Sequence, residues 1–332
     1  MKDKAVLIIS LDFELYWGVS DKVKLEDKQQ YFQNTRKTIP ALLNLFNQNQ
    51  VHVTWATVGM LFATSWKEWY QFMPKEKPNY NNANLSSYAV EAKYNNANHL
   101  EPFLFAPDIV DLINETPNQE VATHTFCHYY CKESGQTISQ FRSDLQAAKI
   151  IAAQKNISLH SLVFPRNQYN ESYLKVCAEE GITSVRSNPQ DWFWRDTENE
   201  VLINKIFRTG DSYIQLGKQT SFKLSSLDLK DGLPLSIPAS RFLRPVGNKA
   251  YLNKLRLRRI IAEMTAAAER QECYHLWWHP HNFGDYPEES MNDLQHIVEH
   301  FKRLQHKYGM ISMTMQEVDN YIKDNNKHDK AL

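Results

Sequence analysis

The sequence predicts a parallel α/β fold, either a barrel or an open sheet. Three observations carry this. Short apolar runs alternate with amphipathic helical patterns along most of the chain, the order expected where helices cross between parallel strands. Polar residues with chemical capability stand just past the apolar runs: Asp12 and Glu14, His124 and His128, Arg166, Asp191, and His279 with His281. Both architectures put their chemistry at the carboxyl ends of strands. Finally, 332 residues at 42% hydrophobic content supply one large core or two modest ones. The expectation is a single catalytic domain over 1–332.

In order, "AVLIISLDF" reads as a first strand, "TRKTIPALLNLFNQNQ" as a helix and "VHVTWATVG" as a second strand. "APDIVDLINET" is a helix with Pro107 near its start, and "EVATHT" is a third strand. "TISQFRSDLQAAKIIAAQKN" is an amphipathic helix with Thr137 as its cap. "LHSLVFPRN" is a strand, "ESYLKVCAEEG" a helix ending at Gly181, and "ITSVRSN" a strand. Later "KLRLRRIIAEMTAAAERQ" is helical, "CYHLWWHPHN" is a strand with its exit, and "MNDLQHIVEHFKRLQHKYG" is a helix. "MISMTMQEV" is read as a last strand and "KDNNKHDKAL" as a frayed tail. Two stretches break the rhythm and read as insertions, at about 66–105 and 205–250.

Composition excludes several classes. Lys+Arg 38 against Asp+Glu 38 gives no electrostatic reason to expect nucleic acid or an anionic surface as partner. No run approaches the ~20 apolar residues of a transmembrane helix. Ala5–Leu11 lacks a small-residue cleavage site and runs into Asp12, so a buried strand is expected rather than a signal peptide. Four cysteines fit a reducing compartment with inert thiols. The expected location is cytoplasmic, with peripheral attachment to an inner membrane as an option. Eight Trp and 16 Tyr cluster near polar residues, as in "QDWFWR" and "YHLWWHPHNF"; sugar sites use aromatic faces this way, and so do ordinary cores.

"THTFCHYYC" holds His124 and His128 four residues apart. On a helical turn both imidazoles would face one way and share one cation. Two histidines are half a site, since a catalytic zinc usually has three protein ligands and an open position. Asp12 and Glu14, two apart on a strand end, project to one side. One can complete the ligand set while the other acts as general base on water. Salt bridges at a solvated strand end would explain them equally well. Cys127 and Cys131 lack partners elsewhere and read as buried bystanders.

Five ordered segments, "SLDFE", "HTFCH", "FPRNQYN", "NPQDWFW" and "WWHPHNFG", together with "TWATVG", resemble the NodB-like polysaccharide deacetylases, carbohydrate esterase family 4. The likeness spans roughly residues 5–195 and 255–320. It implies a distorted (β/α) barrel with fewer than eight strands and a metal-dependent hydrolase that removes N- or O-acetyl groups from sugars. His124 and His128 resemble the metal histidines, Asp12 the catalytic base, Arg166 the arginine that holds it, and His279 the general acid, with His281 as a rival. Asp191 resembles the carboxylate that orients the acid, and Trp192 or Trp194 the aromatic wall. Tyr169 and Trp278 are further substrate-binding candidates, Tyr169 through a backbone N–H near it. The commonest family pattern has adjacent aspartates, but position 13 is Phe. Glu14 is therefore the third ligand, and exchange of the Asp12 and Glu14 roles stays open.

The cofactor implied is a divalent metal: Zn2+ first, then Co2+, Mn2+ or Ni2+. The forms "WWHPHNFG" and "LDFELYWG" resemble a branch found with polysaccharide or lipopolysaccharide synthesis. That implies a nucleotide- or lipid-linked sugar as substrate. The alternatives are hydrolysis of formyl-sugars or cyclic ureides, and an inactive sugar-binding protein.

Overall fold

The computed structural model describes residues 3–189, 191–195, 202–217 and 220–330. The chain runs β1 (Val6–Phe13), α1 (Gln29–Gln48), β2 (Val53–Thr57), α2 (Trp66–Phe72), α3 (Tyr88–Tyr94), α4 (Pro107–Glu115) and β3 (Gln119–Thr123). It continues through α5 (Ile138–Ala153), β4 (Ser161–Leu162), α6 (Glu171–Glu179), β5 (Ser184–Ser187), α7 (Trp192–Arg195), α8 (Leu202–Asp211), β6 (Leu235–Pro238) and β7 (Arg241–Phe242). The last elements are α9 (Ala250–Glu269), β8 (Cys273–Trp278), α10 (Pro287–Tyr308), β9 (Ile311–Met313) and α11 (Met315–Lys330).

The strands form one sheet in the order β6-β5-β4-β3-β2-β1-β8-β7, with β9 beside β1. Every ladder is parallel. Among the described residues the ends of that path, β6 and β7, share no ladder, so the sheet curls into a distorted barrel without closing. Eight strands lie on the path, and two of them, β4 and β7, are only two residues long.

Parallel strands covered on both faces read as continuous apolar runs, and β1 is buried along all eight residues. Side chains alternate between faces. Leu7, Ile9, Leu11 and Phe13 join the large core between sheet and helices. Val6 and Ile8 face inward, with Ala56, Val163, Ile237 and Cys273. Met315, Val318 and Ile322 of α11 plug that inner layer from below. Further up β1, Ser10 and Asp12 carry polar groups inward, and Thr54 and Glu120 meet the first backbone N–H groups of α11.

Local signals set the helix ends. Thr137 and Gln140 form a reciprocal capping box on α5, Asn170 caps α6, and α10 runs from Pro287 to a left-handed Gly309.

Three expectations differ. Residues 66–105 are short helices rather than loop, with Trp66, Trp69, Tyr94 and Phe105 in the core. The stretch 205–250 supplies two barrel strands, β6 and β7; strands this short leave no readable period. "MISMTMQEV" is strand only over Ile311–Met313, and from Met315 the chain is helix to Lys330. No described helix is long and apolar enough to cross a membrane.

Candidate metal centre and active site

At the carboxyl end of the barrel lies a cavity of about 890 Å³. Its floor is built from inward-facing strand residues: Asp12 from β1, His124 just past β3, Arg186 from β5, and Trp277 and His279 from β8 and its exit.

Glu14, His124 and His128 place one ligand atom each within 4.8 Å of one another, and all three are buried. Glu14 Oε2 lies 3.3 Å from His124 Nε2 and 3.0 Å from His128 Nε2. The imidazole tautomers suit a cation. His124 Nδ1 is 2.7 Å from the Val163 carbonyl, which only accepts, so Nδ1 carries the proton and Nε2 aims its lone pair inward. His128 Nδ1 meets the Tyr130 hydroxyl at 3.1 Å. Burial lowers the pKa of His128 despite the pull of Glu14. The His124 lone pair facing the buried Glu14 carboxylate is repelled unless positive charge sits between them. One carboxylate and two imidazoles form a donor set suited to zinc and its neighbours.

The segment between the histidines is not a helical turn, as the four-residue spacing suggested. It is a loop with left-handed residues at Thr125 (φ 64°) and His128 (φ 58°). Asp144 of α5 holds it, accepting from Phe126 N at 2.7 Å and Cys127 N at 3.1 Å. Met60 N and Gly59 N bind the Phe126 and Thr125 carbonyls. A Cβ at Gly59 would come within 2.9 Å of Phe126 Cα, so only glycine lets the two backbones approach. Gly18 does the same for Glu14, whose carboxylate fills the place a Cβ would take. Tyr80 and Ser87, from the 66–105 stretch, bind Tyr130 N and the Cys127 carbonyl. Cys127 and Cys131 are buried and unpaired, and burial pushes both thiols up.

Asp12 is gripped by Arg186, not by Arg166. Arg186 Nη1 and Nη2 donate to the two Asp12 oxygens at 2.6 and 2.7 Å. Burial alone would raise the Asp12 pKa; Arg186, His124 and His279 outweigh it and keep the carboxyl below its ordinary value. Arg186 is itself braced. Its guanidinium lies over the Trp277 ring at 4.2 Å, and Nη1 also donates to Ser10 Oγ at 3.1 Å. Ser10 Oγ is 2.8 Å from His275 Nε2, and His275 Nδ1 is 3.0 Å from the Pro238 carbonyl. Burial drives the His275 pKa down to about 3, so the ring is neutral and accepts from Ser10. Arg166 instead pairs with Asp21 and Glu133 at the cavity wall and lies 4.0 Å over the Tyr130 ring. It stands at a strand exit, with its guanidinium committed to these two carboxylates. The sequence signal for Arg186 was present: an arginine inside a short buried strand must meet a buried anion.

His279 Nε2 lies 3.7 Å from Asp12 Oδ2 and 3.7 Å from Glu14 Oε1. Phe242, Trp277 and His281 pack around its ring, with centroids at 5.7, 5.9 and 5.0 Å. His281 is buried, its pKa pushed down by burial to about 3. The carboxylates found beside His279 are Asp12 and Glu14. Asp191 lies against Gly217, where a Cβ would come 2.2 Å from Asp191 Oδ2. Trp278 belongs to the outer core against Phe46 and Phe283; strand alternation gives the inward position to Trp277 instead. Tyr169 stacks on Phe164, with centroids at 4.8 Å. Trp194 does line the cavity, under Arg208 at 4.8 Å. The Trp192 side chain lies outside the described residues.

Neither a family model nor a curated protein matches the sequence. Solved structures do match in shape. A Mycobacterium smegmatis protein assigned as a polysaccharide deacetylase matches at TM-score 0.62 and 12% identity, over 98% of this chain and 92% of that one. A Pseudomonas aeruginosa PAO1 protein with the same assignment matches at 0.57 and 10%, over 96% and 90%. An allantoinase matches at 0.57 and 10%, over 96% and 90%. Likeness at such identity speaks to architecture, and the chain has the distorted (β/α) barrel of these deacetylase structures.

Proposed function

We propose that this chain is a metal-dependent hydrolase that removes an acyl group, N-acetyl first and O-acetyl second, from a sugar or polysaccharide precursor. One observation carries the reading. A carboxylate–imidazole–imidazole donor set lies in the same cavity as an ionised, arginine-held Asp12. A divalent ion held by Glu14, His124 and His128, zinc foremost, supplies Lewis-acid polarisation and a lowered pKa for water. Asp12 is the base: kept ionised by Arg186, it takes the proton of the attacking water. His279, 3.7 Å from Asp12, gives a proton to the leaving nitrogen. Trp277 and Phe242 pack against the His279 ring and fix its orientation. Trp194 offers an aromatic face to a sugar ring. A nucleotide- or lipid-linked sugar is the proposed form of substrate, and the cytoplasm the proposed site of action.

The test combines metal analysis with acetate release from UDP-N-acetyl sugars, lipid-linked N-acetyl sugars and cell-wall fragments. Metal-dependent acetate release that disappears in Asp12→Asn supports the reading. A chain that takes up no zinc and releases no acyl group from any of these defeats it. A second reading, hydrolysis of formyl-sugars or a cyclic ureide, is favoured by the allantoinase that shares the fold. Formate released from an N-formyl sugar, and the carboxylate formed when a cyclic ureide ring is opened, measured on those substrates beside acetate release, separate the two.

A further inference from the structure

Glu14 has four imidazoles around its two oxygens. Oε2 faces His124 and His128 at 3.3 and 3.0 Å. Oε1 faces His279 Nε2 at 3.7 Å and His281 Nδ1 at 3.8 Å. The first two histidines belong to the proposed metal site and the third to the proposed acid. His281 has no part in either, yet it is 5% exposed and its Nδ1 is buried without a hydrogen-bond partner. Buried donors are rarely left unpaired, and this one points at the Glu14 oxygen that the metal histidines leave free.

The tautomer follows from chemistry. An imidazole lone pair facing a carboxylate oxygen repels it, so the proton sits on Nδ1. The ring itself is fixed. It stacks on His279 at 20° and packs against Tyr31 and Phe32 at 5.9 and 6.4 Å. His281 is outside the donor set of Glu14, His124 and His128, so its effect must pass through Glu14.

We propose that His281 is a positioning residue of the metal centre: its Nδ1–H donates to Glu14 Oε1 and thereby holds Oε2 toward His124 and His128 as a one-oxygen ligand. This rests on the metal site proposed above. A ligand carboxylate with its free oxygen hydrogen-bonded keeps its orientation, and loss of such outer partners typically weakens metal binding about 10–100-fold.

The test measures zinc affinity of the full chain by competition with a chromophoric chelator. His281→Phe keeps an aromatic ring against Tyr31 and Phe32 but has no Nδ1 donor. His281→Asn gives up the ring and sets an amide nitrogen near the Nδ1 position. Zinc binding should weaken about tenfold or more in His281→Phe and recover most of that loss in His281→Asn. Thermal unfolding of the metal-free forms reports packing separately. In the zinc-loaded wild-type structure, Nδ1 and Oε1 should close to about 3.2 Å or less. Wild-type affinity in His281→Phe overturns the proposal. So do equal losses in both variants, or a loaded wild-type structure in which Nδ1 ligates zinc or stays beyond hydrogen-bond reach of Oε1. A wild-type chain that takes no zinc sinks the metal site and this proposal together; unchanged variants of a zinc-binding chain sink this proposal alone.

Discussion

Arg186 holds Asp12 through both guanidinium nitrogens, at 2.6 and 2.7 Å, with both residues buried. This fork–fork pair decides the state of the proposed base. Burial pushes the carboxyl up and Arg186 leads the groups that pull it down. Arg186→Met should therefore move the acid limb of the kcat/KM profile to higher pH, since Asp12 then ionises later. It should also cost about 3–5 kcal/mol of stability, because it strands a buried charge. Arg186→Lys keeps the charge and loses the fork, so its limb should move less. Arg166→Met should leave the limb in place, because Arg166 pairs with Asp21 and Glu133 instead. A limb that moves with Arg166 and not with Arg186 would return the role to Arg166.

Asp12 and Glu14 are two residues apart and enter one cavity, but their partners differ. Glu14 faces imidazole nitrogens, whereas Asp12 faces a guanidinium. Asp12→Asn should lower turnover by about 10²–10⁴ while zinc affinity stays near wild type. Glu14→Gln should weaken zinc binding by about tenfold or more. Equilibrium dialysis of both variants against zinc, paired with initial rates, separates base from ligand. The reverse pattern would mean that the two roles are exchanged.

The strand–helix alternation over β1–β5 and β8, and the convergence of Asp12, Glu14, His124, His128 and His279, were legible because each residue follows an apolar run, and parallel strands bring their ends together. Arg186 was missed because it lies inside a short strand, where only its inward parity betrays it. The same parity separates Trp277 from Trp278: adjacent in sequence, they sit on opposite faces of β8. The four-residue spacing of the histidines suggested a helix, but two left-handed residues achieve the same convergence in a loop. Those backbone choices depend on Asp144 and Gly59, which lie 20 and 65 residues from His124 and leave no local pattern.

Asp144 ties α5 to the loop between the metal histidines through two hydrogen bonds to its backbone. Asp144→Ala removes the partner of two backbone N–H groups, each costing about 1–3 kcal/mol when left unmet in the interior. The metal-free variant should be less stable by roughly 2–4 kcal/mol. Zinc affinity should also fall, since the loop then samples conformations in which His124 and His128 no longer converge. Denaturant unfolding and zinc titration of the same preparations check both. A stability loss with unchanged zinc affinity would show that the loop is held by its other bonds, from Gly59, Met60 and Ser87.

His275 carries a pH dependence of stability that does not involve the proposed metal ligands. It is fully buried, neutral, and wedged between Ser10 and the Pro238 carbonyl. Burial, aided by the Arg186 charge, sets its folded pKa at about 3, below the ordinary 6.5. The unfolded chain thus binds a proton that the folded chain refuses between these two values. Its contribution is complete above pH ~6.5 and drains away as pH falls toward ~3, at up to ~1.4 kcal/mol per pH unit. His275→Asn keeps a donor for the Pro238 carbonyl and has no group that titrates in this range. Both proteins, stripped of metal with a chelator, should be unfolded in urea at half-unit steps from pH 7 to 4. The wild-type free energy should fall more steeply with acid than that of the variant, by up to one proton's worth of slope. Parallel lines would mean that His275 takes up a proton in the folded state, which in turn would break its acceptance from Ser10 and loosen the brace beneath Arg186.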